Sequence, residues 1–407
     1  MKVAARWRAR VRGPQPVHEP VPASTTLLAT IARYARSTYR LRRGNQVRVL
    51  RGGAEVFPAM LGAIAAARRS ICLETYIFEP DRIGQRFADA LIERVAAGVA
   101  VRIIYDAIGG FGLGDDFVGR LRAAGVELIE YHPVAPWRAR FNLTNRDHRK
   151  ILVVDDRVGF TGGINIGDEY VPVDAGGAGW HDVHCELHGP VVIDLARLFR
   201  RTWLAEGGTP YPAPPYPGDD EPRPGTIAAR VVDNSKLRRR GAIRRAYLTA
   251  IAAAQRTIWL ENAYFLPDRG LRRALARAVA RGVEVAVIVP GRNDVQAVRY
   301  AGLYVHRKLA TRGITILQWR GPMMHAKTAI IDGVWACIGS YNLDSRSLLY
   351  NLEVVVEVID DQLGAVMAQQ FAIDRALADP FDPLAWKRLP WWRRLLAWTA
   401  YQIQAWL

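Results

Sequence analysis

From Val47 onward, apolar positions alternate between helical spacing and short buried runs. Residues 55–67 carry the spacing of a helix, and Ser70–Phe78 that of a strand. A second helix runs through Val95 and stops at Gly98; Val99–Asp106 then reads as a buried strand. The glycine-rich stretch 109–114 lacks both the GxGxxG order and a helix packed tightly after it. It predicts a mobile loop over a strand's carboxyl end, where α/β proteins place ligands. Ahead of these elements, residues 1–46 read as a basic, proline-broken arm and a helix. In that helix Leu27, Leu28, Ile31 and Tyr34 recur at helical spacing, so it is expected to pack on the first domain.

The pattern then returns. Ala66–Glu74 matches Ala253–Glu261, Phe78–Arg82 matches Phe265–Arg269, and Gly98-Val99 matches Gly282-Val283. Between the copies, the proline-rich stretch 207–217 predicts a surface linker. The expected fold class is α/β, with two tandem domains of mixed sheet, 47–205 and 227–380, related by an internal pseudo-twofold. A linker, 206–226, joins them and a tail, 381–407, follows. Five of the twelve tryptophans fall in the last twenty-two residues, beside arginines. Pro390 should open a helix there, with Trp391, Leu395, Trp398, Gln402 and Ala405 on one side. Such a helix suits the head-group level of a membrane.

The chain is long enough, at 407 residues, for two full cores. It has no apolar run of the length that spans a bilayer. Its N-terminus lacks the apolar middle section of a signal peptide. Cys72, Cys185 and Cys337 show no paired spacing, which points to a reducing cytosol. The net charge of +17 points to anionic partners, either phospholipid head groups or nucleic acid. The alternative is an arginine-for-lysine bias set by genome base composition, with the arginines merely solvating surface faces.

The chemistry concentrates in two stretches. Asp147–Asp155 and Met324–Asp332 both read His-x-Lys, four residues, Asp. Each is followed at the same offset by a small residue and an Asn: Gly163 and Asn165, then Ser340 and Asn342. Only six lysines stand against fifty arginines, and two of the six lie here, so chance is a poor account of both copies.

On a strand, residues two apart share a face, so His148 projects with Lys150 and His325 with Lys327. Asp155-Asp156 and Asp332-Gly333 suit two-residue hairpin turns. That register sets His148 opposite Gly163, Lys150 opposite Thr161, His325 opposite Ser340 and Lys327 opposite Ile338. Asn165 and Asn342 then share the His/Lys face, and the small residues leave room for a ligand. By the same parity Asp155 and Asp332 sit in the turn and bond local backbone.

Two His/Lys pairs and two Asn amides facing each other make a cation-rich pocket fit for a phosphodiester. One imidazole can attack phosphorus while the other protonates the leaving alkoxide. Each needs a carboxylate on its second nitrogen; Glu353 in the second half and Asp182, its counterpart, are the candidates. His181, His184 and His188 invite a metal reading, but on one strand His181 faces away from the other two.

These motifs resemble the phospholipase D superfamily, whose mark is a duplicated HxKxxxxD. The stretches 145–150, 161–170 and 339–347 resemble bacterial cardiolipin synthases of that type, and the resemblance covers about residues 47 to 375. It implies two tandem phospholipase D-like domains, with His148, Lys150, Asp155, His325, Lys327 and Asp332 as the catalytic set. His148 would be the nucleophile and His325 the acid, with Lys150, Lys327, Asn165 and Asn342 holding phosphate. It further implies phosphatidyl transfer between two phosphatidylglycerols, no metal or organic cofactor, and a peripheral place on the cytoplasmic side of the cell membrane. Paired N-terminal membrane helices of some members have no counterpart here, as in the shorter synthases. The alternative is a phosphodiesterase using water on phospholipid or nucleic acid; the Trp/Arg tail favours lipid.

Overall fold

The computed structural model describes residues 41–138, 140–218, 221–235 and 241–404. The expected arm helix with Leu27, Leu28, Ile31 and Tyr34, and Ala405 of the tail, lie outside the described residues.

The first half holds β1 (Arg42–Arg51), β2 (Ser70–Thr75), β3 (Ala100–Asp106), β4 (Glu127–Tyr131), β5 (Ile151–Val154), β6 (Val158–Gly162) and β7 (Val183–His188). The second holds β8 (Ile227–Asp233), β9 (Thr257–Asn262), β10 (Glu284–Pro290), β11 (Thr315–Trp319), β12 (Lys327–Ile331), β13 (Trp335–Gly339), β14 (Val354–Ile359) and β15 (Ala378–Pro380). All join in one mixed sheet, β15-β11-β10-β9-β12-β13-β14-β8-β1-β7-β6-β5-β2-β3-β4. Read outward from the β1–β8 junction, each half repeats the order of the other, with β15 added at one edge.

The seam has its own clip. β1 and β8 pair antiparallel with a register shift between Arg42 and Asn45. Buried Asn45 bridges it, donating to the Arg42 and Ile227 carbonyls (2.7 and 3.1 Å) and accepting from Val191 N (2.9 Å). One apolar core crosses the seam: Val183, Cys185, Leu187 and Leu195 pack in the same cluster as Val231, Ile338, Val354 and Val356. Apolar burial across the seam, at about 25 cal/mol per Å², holds the halves together.

Both hairpins form, but not in the expected register. Asp155, Asp156, Asp332 and Gly333 all have positive φ, as the two-residue turn requires. The turns close by Arg157 N–H to Val154 O (3.0 Å) and Val334 N–H to Ile331 O (3.1 Å). The ladders then pair Ile151 with Thr161 and Thr328 with Ile338, one residue from the expected Lys150–Thr161 and Lys327–Ile338. One extra residue per hairpin, Arg157 and Val334, is absorbed beside the turn, as in a β-bulge.

The stretch 109–114 is also more regular than expected. It forms a 3₁₀ turn, Phe111–Leu113, that leads into the helix Gly114–Ala123. Asp106 Oδ1 accepts from Ile108 N–H and Gly109 N–H at its start. The proline-rich stretch lies along the helix Pro190–Ala205: Arg197 donates to Pro214 O, Arg200 to Tyr211 O and Trp203 Nε1 to Thr209 O.

Candidate active site

β2 and β3 run parallel, and β5 runs antiparallel to β2. His148, just before β5, therefore falls at the carboxyl end of β2. His325, just before β12, falls in the same place beside β9, which β12 meets antiparallel.

Each histidine is held by the other half. His148 N–H donates to Leu352 O (3.0 Å), and its Nδ1 lies 3.1 Å from Glu353 Oε2 and 3.2 Å from Ser340 O. His325 N–H donates to His181 O (2.7 Å), and its Nδ1 lies 2.7 Å from Asp182 Oδ2. The two carboxylates meet the histidines crosswise: Glu353 lies against the first-half histidine and Asp182 against the second. A carboxylate on Nδ1 fixes that nitrogen as the N–H and leaves the Nε2 lone pair for a reacting atom.

Lys150 Nζ donates to His148 O at 2.7 Å, and Lys327 Nζ to His325 O. Burial pushes the ammonium groups down, Lys150 to about 7 and Lys327 to about 8. Each imidazole also feels both lysines. Burial, then Lys150, holds His148 below the usual imidazole value, with Lys327 adding to it; burial, then Lys327, lowers His325, with Lys150 adding. Burial opposes ionisation of Asp182 and Glu353, yet Lys327 and His325 on one side, and His148 on the other, keep both below the ordinary carboxylate range. Four residues from two halves thus share one electrostatic site. His148 is 8 % exposed and His325 5 %.

The small residues serve the carboxylates rather than a ligand. A Cβ on Gly163 would stand 2.2 Å from Asp182 Oδ1, so the room expected for substrate is filled by Asp182. Ser340 Oγ donates to Glu353 Oε2. Asn165 gives Nδ2–H to Tyr170 OH (2.9 Å) and accepts from Ile77 N–H (3.2 Å); buried Asn342 has an Oδ1 without a hydrogen-bond partner.

Asp155 and Asp332, expected in the catalytic set, do not reach the histidines: they stand at the far end of their strands. Nor is the backbone they bond local to their own turn. Asp155 accepts from Arg68, Arg69 and Ser70 N–H (2.9, 2.7 and 2.9 Å). Asp332 accepts from Gln255, Arg256 and Thr257 N–H (2.9, 2.8 and 2.9 Å). Each ties its hairpin to the turn that opens the neighbouring strand.

Sequence reasoning missed the aromatic walls. Tyr170 OH lies 3.3 Å from His325 Nδ1, and the Trp180 ring lies 5.6 Å from that imidazole. Tyr76 stands edge-on to His148 at 5.0 Å, with Lys150 Nζ 5.2 Å over its face. Tyr76 follows Glu74 by two and Tyr170 follows Asn165 by five, but no pattern in the chain marks either. Of the three histidines weighed for metal, His184 and His188 stand apart from His181. Among the described residues the one metal-capable group is His181 with Glu261 and Asp374.

The family described as cardiolipin synthase, PLD-like domain, matches residues 60–175 and 247–375, one motif in each segment. The cardiolipin synthase of Geobacillus thermodenitrificans is 33% identical over 357 residues, 86% of this chain and 70% of that protein. Cardiolipin synthase A of Pseudomonas aeruginosa is 34% identical over 340 residues, 83% of this chain and 69% of that one. Among solved structures, the phosphatidylserine synthase of Haemophilus influenzae superposes with a TM-score of 0.70 at 14% identity. That match covers 93% of this chain and 99% of the other, and it is a likeness of fold. With both motifs inside the matched segments and most of the chain aligned to such relatives, the chain belongs to the cardiolipin synthase family of phospholipase D-like proteins.

Proposed function

We propose that this chain is a phosphatidyltransferase that makes cardiolipin from two phosphatidylglycerols through a phosphohistidine. The crossed pairs His148–Glu353 and His325–Asp182 carry this reading. Family resemblance makes His148 the nucleophile. Its Nε2 attacks phosphorus, the bond to the glycerol oxygen breaks, and His325 gives that oxygen its proton. A second phosphatidylglycerol then enters. His325 takes the proton from its hydroxyl, the oxygen attacks phosphorus, and the P–N bond breaks to free His148. Lys150 and Lys327 neutralise the non-bridging oxygens throughout, with Asn165 and Asn342 proposed beside them. Near-complete burial of both rings supports transfer over hydrolysis, because water must be kept from the phosphohistidine.

The partner is an anionic membrane surface, met peripherally from the cytoplasmic side. The helix Trp391–Gln402 supports this: it docks through Ala397, Ala400 and Tyr401, the last accepting from Arg272 (2.9 Å). Trp391 (70 %), Trp392, Leu395, Leu396 and Trp398 stay exposed beside Arg393 and Arg394. Trp and Arg together suit the head-group level. At the first half's site end, Phe111 (82 %) and Trp137 (85 %) are exposed as well. No helix among the described residues is long and apolar enough to cross a membrane.

The test is purified protein with acyl-labelled phosphatidylglycerol in vesicles. Labelled cardiolipin and free glycerol support the reading; phosphatidic acid alone would replace it with hydrolysis.

A further inference from the structure

The backbone that grips His325 is itself held by a buried cluster that the chemistry does not use. His181 O accepts from His325 N–H, and the next residue, Asp182, takes His325 Nδ1. The His181 ring stacks on Trp319, with centroids 4.7 Å apart, and its Nε2 lies 3.2 Å from Asp374 Oδ2. Asp374, on the helix Asp361–Ala376, receives two contacts of 2.8 Å from Gln370 Nε2. Glu261, on β9, accepts from Thr328 Oγ1 (2.9 Å), and its Oε1 has no hydrogen-bond partner. One ligand atom from each of His181, Glu261 and Asp374 lies within 4.8 Å of the others. Gln370 points N–H at both Asp374 oxygens, which suits a carboxylate meeting proton donors better than one open to a cation.

The first half fills the equivalent place with permanent charge. Glu74 opposes Ile151 as Glu261 opposes Thr328, so the two glutamates hold equivalent places. Glu74 meets Arg149 at 2.6 Å, and Arg149 also binds Asp147 at 2.8 Å. In the second motif Ala326 and Met324 replace Arg149 and Asp147. With no guanidinium beside it, Glu261 faces a second carboxyl group. Two carboxylates so close inside a protein share a proton rather than both ionise.

We propose that Asp374, acting through His181, is a positioning residue for His325, with Glu261 the protonated member that lets the two carboxyl groups stand together. His181 and Asp374 then form the ion pair that holds the His181-Asp182 backbone against His325. Titratable groups around Glu261 agree. Burial and then the Asp374 charge raise Glu261, while Asp374 itself lies below its usual value despite burial, through the His181 ring 3.2 Å from its Oδ2. Burial works against His181, yet Asp374 raises it, with Asp182 adding to the effect. Thr328 is the neutral donor on the remaining side. The inference rests on His325 as a reacting imidazole and not on which lipid is the substrate.

Two variants of the full chain separate the members of the pair. Glu261→Gln keeps the neutral donor and should retain activity within about threefold. Asp374→Asn removes the charge that orients His181 and should lower kcat about 10- to 100-fold with KM little changed, the range for outer partners of a functional histidine. The independent readout needs no lipid: the ring titrations of His325 and His148 in ¹³C-histidine protein, assigned with His325→Gln and His148→Gln. In Asp374→Asn the His325 titration shifts and that of His148 stays. Melting adds a third readout. Unfolded glutamate ionises near pH 4.3 while folded Glu261 holds its proton to higher pH. Glu261→Gln should therefore gain melting temperature over wild type as pH rises above that value. The proposal is overturned if Glu261→Gln is the damaging variant and Asp374→Asn the harmless one, or if both histidines shift alike, or neither. A lipid assay that fails in wild type, with the His325 titration still moving in Asp374→Asn, would count against the proposed substrate and leave this cluster standing.

Discussion

Asp182 Oδ2 stands 2.7 Å from Nδ1 of His325, although 143 residues and the seam between the halves separate the two. The same relation joins Glu353 to His148. Neither half alone can complete a histidine–carboxylate pair, so the reacting groups exist only in the joined sheet.

Asp182→Asn and Glu353→Gln should each lower kcat by about 10²–10⁴-fold, since an amide sets the wrong tautomer on a catalytic imidazole. Each should bind phosphatidylglycerol vesicles as wild type does. Steady-state rates beside vesicle co-sedimentation check this.

Gly163→Ala should damage the second half's histidine from a position in the first. The added methyl would sit 2.2 Å from Asp182 Oδ1 and force that carboxylate off His325. A loss close to that of Asp182→Asn is expected, and combining the two should add little. Rates of the single and double variants measure the coupling.

Asp155→Ala and Asp332→Ala should cost stability rather than chemistry. Each leaves three N–H groups without their carboxylate, roughly 2–4 kcal/mol after partial rescue by water. Activity per folded molecule should stay near wild type, as read by denaturant melts and rates at low temperature. For Asp155, burial opposes ionisation, but Ser70, Arg68 and Arg69 N–H hold its folded value below the usual one. That contribution is therefore present above the unfolded carboxyl's value, near pH 3.9, and is lost as pH falls through the lower folded value.

Much of this was legible in the chain, and the gaps have physical causes. Hairpin turns at Asp155-Asp156 and Asp332-Gly333 follow from local turn chemistry, and so does the pairing of each His with its Lys. The register error arose because Arg157 and Val334 are bulged out, and turn residues do not encode a bulge. Asp182 and Glu353 could be picked as carboxylates from their matched positions. Which histidine each serves depends on a seam made by β1 and β8, 182 residues apart at Asn45 and Ile227. Tyr170 and Trp180 reach His325 across the same seam, so no local spacing announces them.

The free enzyme should lose kcat/KM as pH rises, first as His325, held below the usual imidazole value, gives up the proton it must donate, and again through about 7 to 8, where Lys150 and Lys327 give up theirs. Their depressed values make the ammonium form the one lost on the alkaline side. A bound phosphodiester returns negative charge to the site, so the alkaline limb of kcat should lie at higher pH than that of kcat/KM. Profiles in mixed micelles from pH 5.5 to 9.5 decide it.

Replacing Trp391, Trp392 and Trp398 together with Ala should weaken binding to anionic vesicles at least tenfold and leave the melting temperature within about 2 °C, because all three are exposed. Co-sedimentation with phosphatidylglycerol vesicles against zwitterionic ones reads the first effect and calorimetry the second.

The central claim is that one imidazole from each half acts on a single phosphorus atom. Its most direct measurement is rapid acid-free quenching of the protein with acyl-labelled phosphatidylglycerol, followed by peptide mapping. A labelled phosphatidyl group on the His148 peptide in wild type, absent in His148→Ala, with cardiolipin synthesis down at least 10³-fold in both His148→Ala and His325→Ala, is the expected result. Cardiolipin formed at near wild-type rate by either variant, with no adduct on a histidine, would contradict it.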